Sequence, residues 1–124
     1  MAISQSRPRR KASGALYRPY RKKKEYELGS DPTFTKLGNR KLKSERILGG
    51  NIKYRLLDID YVNIADKGKC KKVKITNVID NPANRNFIRR NIITKGSVVE
   101  TEIGKVKITS RPGQEGSLNG ILIS

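Results

Sequence analysis

The residues best suited to chemistry in this sequence are cations. Residues 1–24 hold nine Lys or Arg (Arg7, Arg9, Arg10, Lys11, Arg18, Arg21, Lys22, Lys23, Lys24) and no acid. They form two clusters, RPRRK (residues 7–11) and RPYRKKK (residues 18–24), separated by ASGALY. Such clusters neutralise the phosphates of a polyanion. Each contains a proline, which favours extended backbone. Tyr17 and Tyr20 interleave with the charge, and rings beside cations suit stacking on unpaired bases. The plainer readings are a solvated tail or a targeting tail. A membrane-surface anchor fits worse, because the bulky apolar face of an interfacial helix is missing.

Further cations lie beyond the first segment. Arg85, Arg89, Arg90 and Lys95 flank DNPANR (residues 80–85) and RNIITKG (residues 90–96), where irregular backbone could offer them to phosphate. Arg111 precedes Pro112-Gly113, and a fixed Arg can hold a phosphate bidentately; an ordinary turn charge is the alternative. Lys69, Lys71, Lys72 and Lys74 suit either phosphate contact or protection of an edge strand.

Catalytic alternatives are thin. The chain has no His and one Cys, Cys70. That excludes Ser–His–acid and Cys–His mechanisms, His-containing and Cys₄ zinc sites, and an intramolecular disulfide. Cys70 between Lys69 and Lys71 reads as a bystander thiol. Asp58 and Asp60 could mimic a carboxylate pair, but a solvated face paired with nearby Lys explains them as well. Neither GxxxxGK[ST] nor GxGxxG occurs. No apolar run approaches the ~18 residues of a membrane span, and no apolar h-region follows the basic start. The expectation is a small soluble protein of the reducing cytosol with a polyanionic partner.

The 124 residues suit one folded domain. Fourteen cations against four acids fall in residues 1–48, and fourteen against seven in residues 49–124, within a formal net charge of +17. Residues 1–28 lack the apolar surface needed to offset ordering entropy. They read as a basic arm, disordered when free and ordered on a partner, with residues 29–124 as the folded domain.

That domain reads as all-β. A short strand is predicted at residues 33–36, a turn at Leu37-Gly38-Asn39, and a second strand at residues 41–48. Gly49-Gly50-Asn51 breaks the chain. In residues 52–64 the alternation Ile52, Tyr54, Leu56 slips by one to Leu57, Ile59, Tyr61. A bulge at Leu56-Leu57 would keep both halves facing a core. Asp66-Lys67-Gly68 reads as a turn, Val73 and Ile75 as inward residues of the next strand, and residues 85–90 as a loop or one helical turn. Ile92-Ile93-Thr94 is strand-prone. Residues 97–103 and 105–110 form a predicted hairpin about Ile103-Gly104, setting Glu102 opposite Lys105 and Val99 opposite Ile108. Residues 111–116 connect to a last strand at 118–123. Many short strands with Gly-rich turns indicate a small barrel or sandwich.

Several segments together carry a resemblance: RPRRK, ASGALYRPYRKKKEYELG (residues 12–29), LGGN (48–51), DNPANR, RRNIITKG (89–96) and TSRPGQEG (109–116). In this order and spacing the chain resembles a small-subunit ribosomal protein family of archaea and eukaryotes, numbered eight-e in that nomenclature. The resemblance runs from the arm to the last strand. Eukaryotic members carry a long insertion before SRPGQ that this chain lacks, so its length is of the archaeal kind.

The resemblance implies a barrel-like body with an extended basic N-terminal arm on small-subunit ribosomal RNA, in the cytoplasm and within the ribosome. It implies neighbouring small-subunit proteins as partners. It implies no catalytic role, no cofactor, no membrane and no small-molecule substrate. The contact candidates are the matching cations and rings: Arg7, Arg9, Arg10, Lys11, Tyr17, Arg18, Tyr20, Arg21, Lys22, Lys23, Lys24, Arg85, Arg89, Arg90, Lys95 and Arg111. A DNA-compacting chromatin protein, an RNA-processing enzyme and an assembly factor are the rival classes.

Overall fold

A computed structural model describes residues 3–4, 7–66 and 68–123. It divides into two compact units, Met1–Pro32 and Thr33–Ser124. The predicted turn at residues 66–68 includes Lys67, which lies outside the described residues.

The second unit is built on two sheets. Four strands, β3 (Thr35–Leu37), β4 (Lys41–Arg46), β5 (Ile52–Ile59) and β8 (Ile92–Ile93), form one sheet in the order β4-β5-β3-β8. The other five are β6 (Tyr61–Asp66), β7 (Lys69–Asp80), β9 (Val98–Thr101), β10 (Gly104–Ile108) and β11 (Asn119–Leu122). They close into a barrel in the order β10-β11-β6-β7-β9. Closure leaves few free strand sides, and a barrel this small is packed with side chains. The core cluster is wholly β-branched or leucine, with Leu56 and Ile59 of β5 and Ile93 of β8 joining Val62, Ile64, Val73, Ile75, Val78, Val99, Val106, Ile108 and Leu118. A short helix, α1 (Asn86–Arg89), shows residues 85–90 to hold one helical turn rather than a loop. A 3-10 turn at Leu48–Gly50 marks the Gly-Gly-Asn break.

The long apolar run divides differently from its alternation pattern. A bulge is present, since Leu42 pairs with Leu56 and Lys41 with Asp58, which leaves Leu57 as the extra residue of β5. The inward set, however, is Leu56, Ile59, Val62 and Ile64. Leu57 is exposed and Tyr61 half-buried. The bulge and the break at Asp60, between β5 and β6, each shift the phase. Ile52 and Tyr54 are also exposed, because that half of β5 pairs with β4 away from the barrel interior.

The hairpin of β9 and β10 keeps its predicted faces but not its register. Val106 pairs with Val99, and Lys105 with Glu100, so the two-residue turn is Glu102-Ile103. Gly104, at φ 147°, takes up backbone that an L side chain rarely adopts. The Thr101 hydroxyl donates to the Gly104 carbonyl at 2.7 Å. A slip of two residues leaves every side chain on its face, so alternation cannot reveal it.

Among its described residues the first unit shows no buried core. Within residues 7–31 no residue is buried. Two-residue strands β1 (Ile3–Ser4) and β2 (Leu28–Gly29) pair antiparallel. Residues 9–17 double back instead of running extended. Arg10 and Leu16 form a bridge, Lys11 N–H donates to the Ala15 carbonyl at 2.8 Å, and Gly14 turns the chain at φ 85°.

Candidate nucleic-acid interface

Folding back at residues 9–17 brings the two basic clusters of the arm together. The Arg7 guanidinium lies 4.2 Å from the Tyr17 ring centroid, and Lys11 Nζ lies 5.6 Å from the same centroid. Two cations thus share one ring, a cation–π arrangement that leaves like charges close in space. An anionic partner relieves that repulsion. Tyr17 therefore serves partly as a seat for cations.

Tyr20 is different. The residue is 87% exposed, and its hydroxyl accepts a 2.9 Å hydrogen bond from Arg21 Nε, whose guanidinium lies 5.3 Å from the ring centroid. Arg21 is in turn clamped by Glu27 through Nη1–Oε2 (3.1 Å) and Nη2–Oε1. The Lys24 backbone N–H also donates to Glu27 Oε2, at 3.2 Å, across the 3-10 turn Glu25–Glu27. The hydrogen bond from Arg21, then that from Lys24, holds the Glu27 carboxyl below the usual carboxylate range. Bonding to Glu27 likewise raises Arg21, so Arg21 stays charged. A lowered carboxyl contributes to order above the ordinary value of about 4.3, and that contribution is lost as pH falls through the lowered value. The pair is intact at neutral pH.

Every candidate site residue except Arg21, which is half-buried, is exposed. Arg10 Nη1 donates to the Gly14 carbonyl at 2.7 Å, so one arm cation also staples its own loop.

In the second unit, Arg85 precedes α1, Arg89 ends it, Arg90 follows it, and Lys95 lies in the turn after β8. Asn81 sets this segment. It is buried, donates from Nδ2 to the Ile92 carbonyl (3.0 Å), and accepts at Oδ1 from Ala83 N–H (3.1 Å) and the Thr94 hydroxyl (2.9 Å). One side chain thereby ties the DNPANR loop to β8. Asn81→Ala leaves buried groups unpaired, so we expect a loss of roughly 1–3 kcal/mol of stability, read by denaturant unfolding. The Phe34 and Phe87 rings meet edge-on at 5.4 Å and seat α1 beside residues 33–37, with the Arg90 guanidinium 5.9 Å from the Phe34 centroid.

Arg111 opens a turn in which Gln114 and Glu115 N–H both donate to its carbonyl at 2.9 Å. The turn is tied to β5, because Leu56 N–H donates to the Pro112 carbonyl at 2.9 Å. Gly113 packs against Thr33, so the Arg111 turn and α1 flank the same segment. Sequence spacing does not bring these two cationic groups into one neighbourhood; the fold does.

The remaining candidates resolve as follows. Asp58 pairs with Lys41 at 4.0 Å, which gives its carboxylate a structural partner. Cys70 is exposed. The Lys-rich half of β7 pairs with β6, and its registered pairs with β9 begin only at Ile75. Lys72 sits over the Tyr61 ring at 3.6 Å. This arrangement suits guarding of an open strand side, and the lysines stay exposed. Sequence reading missed Glu27 as an organising residue and Arg40, whose Nη2 reaches the Gly116 carbonyl at 3.3 Å. The only signal for Glu27 was an acid directly after a basic run. Among the described residues, no group of His, Cys, Asp and Glu could hold a metal ion, and no helix is long and apolar enough to cross a membrane.

The profile of the family described as ribosomal protein S8e matches residues 4–123. The chain is similar to the small ribosomal subunit protein eS8 of Nanoarchaeum equitans, 57% identical over 121 residues, covering 96% of this chain and 95% of that one. It is also similar to the protein of that name from Methanococcus aeolicus, 50% identical over 127 residues, with 100% and 99% covered. The corresponding protein of Picrophilus torridus is 47% identical over 125 residues, with 99% and 100% covered.

Proposed function

The chain belongs to the ribosomal protein S8e family, and on that premise we propose that it is a structural constituent of the small ribosomal subunit. It binds small-subunit ribosomal RNA through its basic arm (residues 1–28) and through the loops bearing Arg85, Arg89, Arg90, Lys95 and Arg111. One observation carries the reading. The arm has nine cations, exposed rings and no buried residue among those described. With no buried residue among those described, the arm's local contacts are held in a fixed path by a partner that neutralises charge. The arm therefore orders on RNA, while the barrel sets its position. Arm cations neutralise phosphates that would otherwise repel, and irregular RNA shape supplies selectivity. Neighbouring small-subunit proteins complete the environment, and the protein performs no catalysis.

Sedimentation of native lysate, followed by a high-salt wash of the small-subunit peak, tests this role. We expect the protein to remain stoichiometric with the subunit. Release in the wash, or travel with DNA or precursor particles, would overturn the assignment.

The second-unit cations have their own test. Replacing Arg89 and Arg90 together with Ala should weaken binding to a small-subunit rRNA transcript about tenfold. It should also flatten the log–log salt dependence by roughly 0.7–0.9 for each phosphate no longer neutralised. Both side chains are exposed, so the thermal midpoint should barely move. A lowered midpoint with unchanged affinity of the folded fraction would make these arginines structural.

A further inference from the structure

We propose that the arm contains a binding cleft for one unpaired RNA nucleobase, with Tyr20 as its stacking platform and Glu27 as the positioning residue that aims the ring. This deepens the ribosomal RNA reading and rests on it.

The cleft has a volume of about 550 Å³ and lies within the first unit. Its lining includes Pro8, Leu16, Tyr17 and Tyr20 together with Arg7 and Arg21. Apolar and aromatic lining beside guanidinium groups suits a flat base and its backbone phosphate. The two rings divide the work. Tyr17 is occupied by Arg7 at 4.2 Å. Tyr20 is 87% exposed: Arg21 holds its hydroxyl and lies over one ring face, 5.3 Å from the centroid, so the other face is open. An exposed ring tethered at one polar end cannot swing freely, yet its face remains available.

Glu27 is the feature that charge alone does not explain. A carboxylate among cations opposes phosphate binding, so electrostatics by itself would favour its removal. Its contacts give it another role. The Lys24 N–H fixes Glu27, Glu27 grips both outer nitrogens of Arg21, and Arg21 Nε fixes the Tyr20 hydroxyl. A bidentate clamp orients a guanidinium better than a single contact does. The acid lowers attraction for phosphate slightly and in return fixes a cleft ring that keeps one face free to stack.

The test uses the full chain, a small-subunit rRNA transcript, and three variants: Tyr20→Leu, Tyr20→Phe and Glu27→Gln. Affinity is measured at several salt concentrations, with base-specific and backbone chemical probing of the bound RNA. Tyr20→Leu should weaken binding roughly tenfold, the scale of one base–ring stack, with the salt slope unchanged. Tyr20→Phe keeps the ring and should lose only about twofold, since stacking resides in the ring face. Glu27→Gln should also weaken binding several-fold although it removes a negative charge. Wild type should protect a particular unpaired base, and Tyr20→Leu and Glu27→Gln should each expose that base while leaving backbone protection by the arm intact.

Equal or tighter binding by Glu27→Gln, or full affinity in Tyr20→Leu, would overturn the cleft and leave a purely electrostatic arm. Loss of all arm protection in Glu27→Gln would show that Glu27 holds the arm together and would overturn its positioning role. In each of these cases the wild type still binds, so the ribosomal RNA reading stands. Failure of the wild type to bind the transcript would instead remove both.

Discussion

Deleting residues 1–28 should leave a folded barrel and reduce affinity for small-subunit rRNA by roughly a thousandfold or more near physiological salt, from the scale expected of six to ten phosphate contacts. The body is built without the arm. All twelve members of the core cluster lie at or beyond Leu56, and the barrel strands all lie beyond residue 60. The arm contributes nine cations. If each neutralises one phosphate, the log–log salt slope should fall in magnitude by about 6, at roughly 0.7 per phosphate on single strands. Slope and affinity must move together, because the energy removed is that of counterion release. Circular dichroism and thermal unfolding of the truncated chain check the fold, and titrations across salt concentrations check the slope. Unfolding of the barrel, or unchanged affinity, would refute the division of labour between arm and body.

The elements most legible in the sequence are those whose information is local. Alternation identifies Val73 and Ile75 as inward residues, and both are buried. Gly49 and Gly50 mark a break, and both adopt positive φ. The bulge near Leu56-Leu57 is visible as a phase slip. What fails is phase counted across more than one irregularity. Between Leu56 and Val62 the chain passes the bulge at Leu57 and the break at Asp60, so the inward residue after Ile59 is Val62, not Tyr61. The β9–β10 register fails for the opposite reason, since a two-residue slip changes no face. Closure of the barrel is the least legible feature. It depends on β11 lying parallel to β6, with Gly120 opposite Ile64, across more than fifty residues of chain. Parallel β3–β5 pairing, which sets Lys36 opposite Asp58, spans a shorter but still non-local stretch of chain. No local pattern encodes a contact of that separation, which is why short strands indicate a barrel or sandwich without selecting between them.

The candidate site follows the same division. Charge clusters are local, so the arm and the RRNIITKG cations can be named from sequence. Their neighbours cannot. Asn81 tying DNPANR to β8, and the Arg111 turn anchored on β5, are contacts made by the fold. Glu27 is hidden because an acid after a basic run reads as charge balance until its hydrogen bonds to Arg21 and Lys24 are seen.

The largest stability effect should come from Gly120→Ala. Gly120 lies in β11, which pairs with β10 on one side and β6 on the other, so it cannot retreat sideways without breaking a ladder. A Cβ there would lie 2.5 Å from Val106 Cγ1 and 2.9 Å from the Lys107 carbonyl oxygen, with Val62 Cγ2 at 3.5 Å. Val106 could change rotamer only inside a filled barrel, and the Lys107 carbonyl is backbone of β10. Overpacking of this kind costs typically 1–3 kcal/mol, and blockage by backbone puts this site at about 3. For a domain of this size that lowers the thermal midpoint by roughly 10–20 °C. Gly38→Ala is the control. Its Cβ would meet Asp58 Cβ at an ordinary 3.8 Å, so the change should fall within about 0.5 kcal/mol of wild type. A near-neutral Gly120→Ala would mean that β11 can shift within the barrel. Such a shift would also move the Arg111 turn, which joins β10 to β11. Affinity of the folded variant for rRNA then separates the cases. If β11 stays in register, the surviving folded fraction binds as wild type does; if it slips, affinity falls through misplacement of Arg111 with no cation removed.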